Sequence, residues 1–152
     1  INLHKEVQSL FDFFEALAED THITLAIFGN ASNISGDREL IRRALTNLLS
    51  NAIRHTPEGK TIKVVLVDTA NDMVGISITN EGSTILSEHL ERIFDRFYRV
   101  DPSRQRHGDG TGLGLAIVKT IVEAHNGVIH ALSNNHSTTI TIHLPVADPS
   151  LT

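Results

Sequence analysis

Cysteine is absent from all 152 residues. That excludes a disulfide framework, a thiolate metal site and a cysteine nucleophile, and it fits a reducing, cytoplasmic setting. No apolar run approaches the ~20 residues of a membrane span, and the opening Ile1-Asn2-Leu3 carries no signal-peptide pattern. An excess of positive charge is missing too. Thirteen Lys and Arg stand against 18 Asp and Glu, a net charge of -5, so no general affinity for nucleic acid is implied. Repeats and low-complexity tracts are absent. The first residue is not methionine, and the expectation is a piece of a longer protein. What remains is ordinary globular material, 40% hydrophobic and 20% charged. One domain is the default at this length, and a chain of this size buries roughly 68–70% of its unfolded surface.

Hydrophobic periodicity divides the chain. The opening triplet reads as the end of a short strand. A helix then runs to Asp20, with Val7, Leu10, Phe11, Phe14, Leu17 and Ala18 at helical spacing. Residues 23–28 are strand-like and the following GNASN is a turn. A second helix runs over residues 37–55 and ends before Pro57, because the residue preceding a proline is pushed out of the helical region. Residues 62–67 and 74–79 are β-rich with TAND between them, which predicts a hairpin. Residues 88–97 read as a short helix and 101–109 as a polar, aperiodic loop. A last helix over 113–125 is stopped by Asn126-Gly127, and residues 128–132 and 140–144 form a closing pair of strands. The predicted class is α+β: a two-layer α/β sandwich with one mixed sheet and helices packed on one face.

The stretch GDGTGLGL places Gly108, Gly110, Gly112 and Gly114 on alternating positions before that last helix. It fits neither G-x-x-x-x-G-K-[ST] nor G-x-G-x-x-G. What it offers is a flexible backbone feeding a helix N-terminus, which carries about +0.5 of a charge and free N–H groups that attract anions. A tight turn alone is the plainer reading; four glycines in alternation favour the anion.

Asn47 and Asn51 lie one helical turn apart beside the apolar stripe Ile41, Ala44, Leu45, Leu48, Leu49, Ala52 and Ile53. Their amide oxygens are hard, neutral ligands of the kind Mg²⁺ accepts, with its remaining ligands drawn from water and substrate phosphates. Arg54, followed by His55, could neutralise such phosphates. Without further context, a capping or bridging role between helices is the stronger reading of both asparagines. Alternation puts Asn80 at the end of the row Val74, Ile76, Ile78, facing inward, where it serves either the following turn or a ligand's polar edge. Thr138 is in phase with Ile140, Ile142 and Leu144 and faces the same interior. In FDRFYRVD, Phe94 and Phe97 anchor a loop, while Tyr98 and Arg99 precede the polar stretch; Arg99 alone reads as a surface charge.

Taken together, four ordered segments resemble the boxes of the ATP-binding catalytic domain of bacterial sensor histidine kinases: NLLSNAIRHTP, TNEGSTI, IFDRFYRVD and GDGTGLGLAIVKTIVEAHNG. The resemblance covers essentially the whole chain. It implies a GHKL-type two-layer sandwich over residues 1–152, binding of Mg-ATP, and transfer of the γ-phosphoryl group to a histidine on a separate dimerisation domain. By resemblance, Asn51 is the Mg²⁺ ligand with Asn47 beside it, Arg54 meets phosphate, and His55 lies near the nucleotide. Arg99, after Tyr98, reaches the γ-phosphate. Gly110, Gly112 and Gly114 form the phosphate loop, flanked by Leu113 and Leu115. Asn80 and Gly82 belong to the base pocket, Ile85 lies under the base, and Thr138 helps hold adenine through water.

The resemblance also implies a response regulator as partner, a monomeric isolated domain, a homodimeric full-length protein, and a cytoplasmic location within an inner-membrane sensor. Three departures stand out, one of them the loss of the second glycine of the first box, where Thr84 stands. Asn80 replaces the aspartate that usually opens the first glycine box, and Ser137-Thr138-Thr139-Ile140 replaces G-T-x-F. An amide donates as well as accepts, so weaker discrimination of ATP from GTP is expected than with aspartate. Asn80 together with FDRFYRVDPSRQRHG is similar to the heavy-metal-sensing branch. None of the nine histidines precedes Glu or Asp, as the family's phosphoacceptor does, so the acceptor is expected elsewhere. A regulatory nucleotide-binding module without transfer activity is the alternative.

Overall fold

Asn2 accepts the backbone N–H of Lys5 at 3.1 Å and starts helix α1, Leu3–Asp20, since its side chain satisfies one of the N–H groups that a helix leaves open. The strand-like reading of the first triplet is thereby corrected. The computed structural model describes residues 1–82, 85, 87–90, 92–96 and 114–147. Leu3, Val7, Leu10, Phe11, Phe14 and Ala18 of α1 are buried; Leu17, expected with them, is 47% exposed. It lies on the rim of the buried stripe in the last turn of the helix.

Helix α2, Arg38–His55, is capped by Asp37, which accepts the N–H of Leu40 at 3.1 Å. It ends at Thr56, whose ψ of 125° is the extended geometry that Pro57 requires. The buried Glu6 of α1 ties the two helices together. Its oxygens accept from Arg38 Nε at 2.6 Å and Arg42 Nη1 at 3.3 Å.

Five strands form one mixed sheet: β1 (Thr24–Gly29), β2 (Thr61–Thr69), β3 (Met73–Glu81), β4 (Val128–Asn134) and β5 (Ser137–Pro145). Their spatial order is β1-β2-β3-β5-β4. Only β1–β2 is parallel. The alternation read from sequence holds. Ile62, Val64 and Leu66, then Val74, Ile76 and Ile78, then Ile140, Ile142 and Leu144 form one core with α1, α2 and helix α4, Gly114–Ala124. Hydroxyl pairs Ser77–Thr141 at 3.0 Å and Thr79–Thr139 at 2.8 Å belong to the alternate row of β3 and β5. Both hairpins turn on left-handed residues. Asn71 and Asp72 have φ of 64° and 56°, and Asn135 and His136 have φ of 48° and 60°, a conformation Asn and Asp adopt more readily than most residues.

The helix expected over 88–97 is corrected to one turn, α3, Ser87–Leu90. Beyond it the bonds Arg92 N–H to His89 O and Asp95 N–H to Arg92 O, both 2.9 Å, skip only three residues. These are turns rather than continuing α-helix.

His125, just past α4, links the two core helices. Its Nδ1–H donates to Ile121 O at 2.8 Å, and its Nε2 accepts the N–H of Asp37 at 3.1 Å. The carbonyl can only accept and the amide can only donate, so the tautomer follows. His125→Ala is expected to lower unfolding free energy by about 1–2 kcal/mol, read as a reduced urea midpoint at unchanged slope.

Candidate nucleotide site

Asn47 and Asn51 are half-buried on the flank of the α2 stripe. No hydrogen-bond partner meets either amide among the described residues. The capping or bridging role that would make them structural is therefore not seen there. Two half-buried amides presenting hard oxygen atoms fit Mg²⁺. Arg54 and His55 follow in the last turn, both exposed. No cluster of three or more His, Asp or Glu able to hold a metal occurs among the described residues.

The far wall is the end of β3 and β5. Asn80 and Thr138 are paired across the two strands and are 9% and 6% exposed, on the face that packs against the helices. The Asn80 amide donates Nδ2–H to Glu81 O at 3.4 Å, a long and weak bond. A carbonyl cannot donate, so the nitrogen must face Glu81. Oδ1 is left without a described partner in a buried place. Buried polar atoms are almost always bonded; an orphan acceptor here fits a ligand with an N–H group.

Gly82 brings the two walls together. A β-carbon at this position would stand 2.7 Å from the carbonyl oxygen of His55, so only glycine allows the end of β3 to touch the end of α2. Its own N–H donates to His136 O at 2.8 Å. A surface cavity of about 490 Å³ opens beside it, lined by Pro57, Lys60, Glu81, Gly82, Asn135, His136 and Ser137. Among the described candidate site residues Gly82 borders that cavity; Asn80 and Thr138 face the helices instead.

Ile85 is half-buried, and its backbone N–H donates to Ser133 Oγ at 2.8 Å. Gly114 is the first residue of α4, and Leu115 packs against the core. A β-carbon at Gly114 would meet nothing within 4 Å, so packing by the described neighbours does not require glycine there. Phe94 packs against the core as expected. Phe97, Tyr98, Arg99, the 101–109 loop, Gly110, Gly112 and Leu113 lie outside the described residues.

Ser133 is the residue that the sequence patterns overlook. Its Oγ lies 2.8 Å from Thr138 Oγ1, accepts from Ile85 N–H and donates to Ser137 O at 3.2 Å. The closing strand reads as ending at Leu132 from hydrophobicity. Extending its alternation by one step would have put Ser133 in phase with Ile129 and Ala131.

A mixed five-stranded sheet under three packed helices, with polar groups gathered where β3 ends and β5 begins, defines the catalytic-domain fold of GHKL histidine kinases. The chain belongs to the family of histidine kinase-, DNA gyrase B- and HSP90-like ATPases, which residues 36–148 match. Over 145 residues it is 53% identical to the sensor histidine kinase CusS of Escherichia coli strain K12, an alignment covering 95% of this chain and 30% of that protein. The chain thus spans about 30% of the length of such relatives. The nucleotide-free catalytic domain of histidine kinase ThkA superposes with a TM-score of 0.83 at 28% identity, covering 97% of this chain and 94% of that one. ThkA solved in complex with the response regulator TrrA matches at 27% identity and a TM-score of 0.78, over 95% of this chain and 40% of that one.

Proposed function

We propose that residues 1–152 form the catalytic domain of a two-component sensor histidine kinase, which binds Mg-ATP and passes its γ-phosphoryl group to a histidine on another domain of the same protein. The observation that carries this is the set of amides without a partner among the described residues, Asn47 and Asn51 on α2 and Oδ1 of Asn80 on β3, in two walls that meet at Gly82. Asn51 would hold Mg²⁺, with Asn47 beside it; the ion supplies charge neutralisation at the phosphates. Arg54 meets phosphate and His55 lies near the nucleotide. Asn80, Gly82, Ile85 and Thr138 surround the base. Gly110, Gly112 and Gly114, flanked by Leu113 and Leu115, offer backbone N–H groups to the triphosphate, and Arg99, after Tyr98, meets the γ-phosphate. Transfer of this kind is positioning plus charge stabilisation. The attacking imidazole, and any base that takes its proton, belong to the dimerisation and phosphoacceptor domain.

A response regulator is the proposed downstream partner, by likeness to ThkA and its complex with TrrA. The isolated domain is a monomer, and the full-length protein is a homodimer in the inner membrane with this domain on the cytoplasmic side. Among the described residues no helix is long and apolar enough to cross a membrane. Asn80 and the FDRFYRVDPSRQRHG segment support placement in the heavy-metal-sensing branch.

Calorimetry with ATP, with and without Mg²⁺, tests the binding step; saturable binding strengthened by Mg²⁺ is expected, and absence of binding in both conditions overturns the reading. Labelled ATP should leave the chain itself unlabelled and label its added acceptor domain. Acid-labile label on this chain alone would place the acceptor here after all.

A further inference from the structure

Ser133 stands at the junction of three segments. It lies on β4 opposite Thr138 of β5, and both side chains point toward the helix-covered face. A serine hydroxyl has one proton to give and two lone pairs to receive. One lone pair is taken by the N–H of Ile85, 48 residues away at 2.8 Å. Ser137 O can only accept, and at 3.2 Å it takes the Ser133 proton. The remaining lone pair faces Thr138 Oγ1 at 2.8 Å, so the proton between the two hydroxyls comes from Thr138. This assignment fills all three positions of Ser133. Thr138 is then left with lone pairs alone toward the interior. Its neighbour across the strands, Asn80, faces the same way round: its Nδ2–H is turned to Glu81 O at 3.4 Å, and its Oδ1 has no partner among the described residues.

We infer that Ser133 is a positioning residue that turns the Thr138 hydroxyl into an acceptor, so that the inner end of β3–β5 presents two acceptors and selects a 6-aminopurine over a 6-oxopurine. The inference rests on the nucleotide-binding reading and deepens it. It also revises the expectation drawn from Asn80 alone. An unrestrained amide would welcome a 6-carbonyl; this one is turned so that its oxygen meets the ligand. A 6-amino group donates to both acceptors, directly or through water. A 6-carbonyl in the same place sets acceptor against acceptor and leaves buried groups unbonded, which is strongly unfavourable.

ATP and inosine triphosphate differ in the 6-substituent and, with it, in N1, which accepts in adenine and carries a hydrogen in hypoxanthine; the change of their ratio between variants, in which both differences are constant, isolates the effect of Ser133. The measurement is the ratio of their dissociation constants with the unaltered chain, Ser133→Ala, Thr138→Val and the double variant, all with Mg²⁺. The unaltered chain is expected to prefer ATP at least about tenfold. Ser133→Ala should cut that ratio about tenfold, because the released Thr138 hydroxyl can rotate and donate to the 6-carbonyl. Ser133→Thr, which keeps a hydroxyl, should restore the ratio. In the Thr138→Val background Ser133→Ala should change the ratio less than about twofold, since there is no hydroxyl left to orient. A merely structural role would weaken both nucleotides alike and add to the Thr138→Val effect; that result overturns the inference while leaving nucleotide binding intact. No binding of either nucleotide by the unaltered chain overturns the underlying reading and this inference with it. Should Ser133→Ala fail to fold, Ser133→Cys keeps the volume with a much weaker hydrogen-bonding group and should show the same loss of ratio.

Discussion

Asn51→Ala is expected to lower Mg²⁺-dependent phosphoryl transfer to the acceptor domain at least about a hundredfold, equivalent to ~2.7 kcal/mol of transition-state stabilisation, while the thermal midpoint moves by no more than about 2 °C. The two halves of this expectation come from different facts. Asn51 sits on the flank of α2 and is only half-buried, whereas Leu48, Leu49, Ala52 and Ile53 fill the core. Removing its amide opens no cavity and breaks no bond to a described residue. An alanine is also a better helix former than asparagine, by a few tenths of a kcal/mol. Stability is therefore unchanged or slightly raised. The proposed metal site would lose a hard oxygen ligand that the neighbouring Arg54 cannot replace, since a cation repels a metal ion. Transfer assays across a Mg²⁺ series, with a melting curve for each protein, check both halves. A variant with the parent's Mg²⁺ dependence removes Asn51 from the metal site. A variant that melts far below the parent makes it a structural residue instead.

Gly127→Ala has the opposite profile: a large loss of stability from a residue far from the proposed chemistry. Helix α4 ends with Asn126 in the left-handed conformation, φ 61°, and Gly127 N–H donates back to Val122 O at 2.9 Å. That is the usual way of closing a helix. Asparagine therefore fills the left-handed position, and the glycine serves another purpose. A β-carbon on residue 127 would collide with the carbonyl oxygen of His143 and stand 2.8 Å from Leu144 Cδ2 and 3.0 Å from Val122 Cγ1. Two of those three atoms belong to β5, so the entry to β4 must move away from its partner strand. The expected cost is about 3 kcal/mol, a drop in Tm of about 6–12 °C for a chain of this length. Asn126→Gly serves as the control, because the left-handed position accepts glycine without strain; it should leave Tm nearly unchanged. If Gly127→Ala melts with the parent, the close packing of β4 against β5 is not what requires the glycine.

Much of the site is legible in local pattern. The stripe of α2 places Asn47 and Asn51 beside the core because an α-helix repeats every 3.6 residues, whatever it packs against. The inward phase of Asn80 and of Thr138 follows equally from the two-residue period of a strand. The ordered boxes add what periodicity cannot, namely the kind of ligand expected between those walls. Where reading from sequence erred, it used the same local rules beyond their reach. The opening triplet is strand-like in character, yet a single capping bond from Asn2 decides in favour of a helix. The pattern over 88–97 reads as one helix, whereas the backbone bonds beyond Leu90 close three-residue turns.

By itself, then, the amino-acid order determined which face of each element is apolar, which polar residues stand at the ends of buried rows, and which family the chain belongs to; these depend on repeats of two or 3.6 residues and on short motifs. Only the tertiary structure decided that Glu6 is buried between two arginines, that Gly82 meets His55, that His125 reaches Asp37 across 88 positions, and that Ser133 joins Ile85 to Thr138. The first and third of those contacts depend on how the helices pack, and the pairing of Ser133 with Thr138 on strand order and register, with β5 inserted between β3 and β4. Strand order is set by how the whole apolar surface is buried at once, and no window of neighbouring residues contains that information.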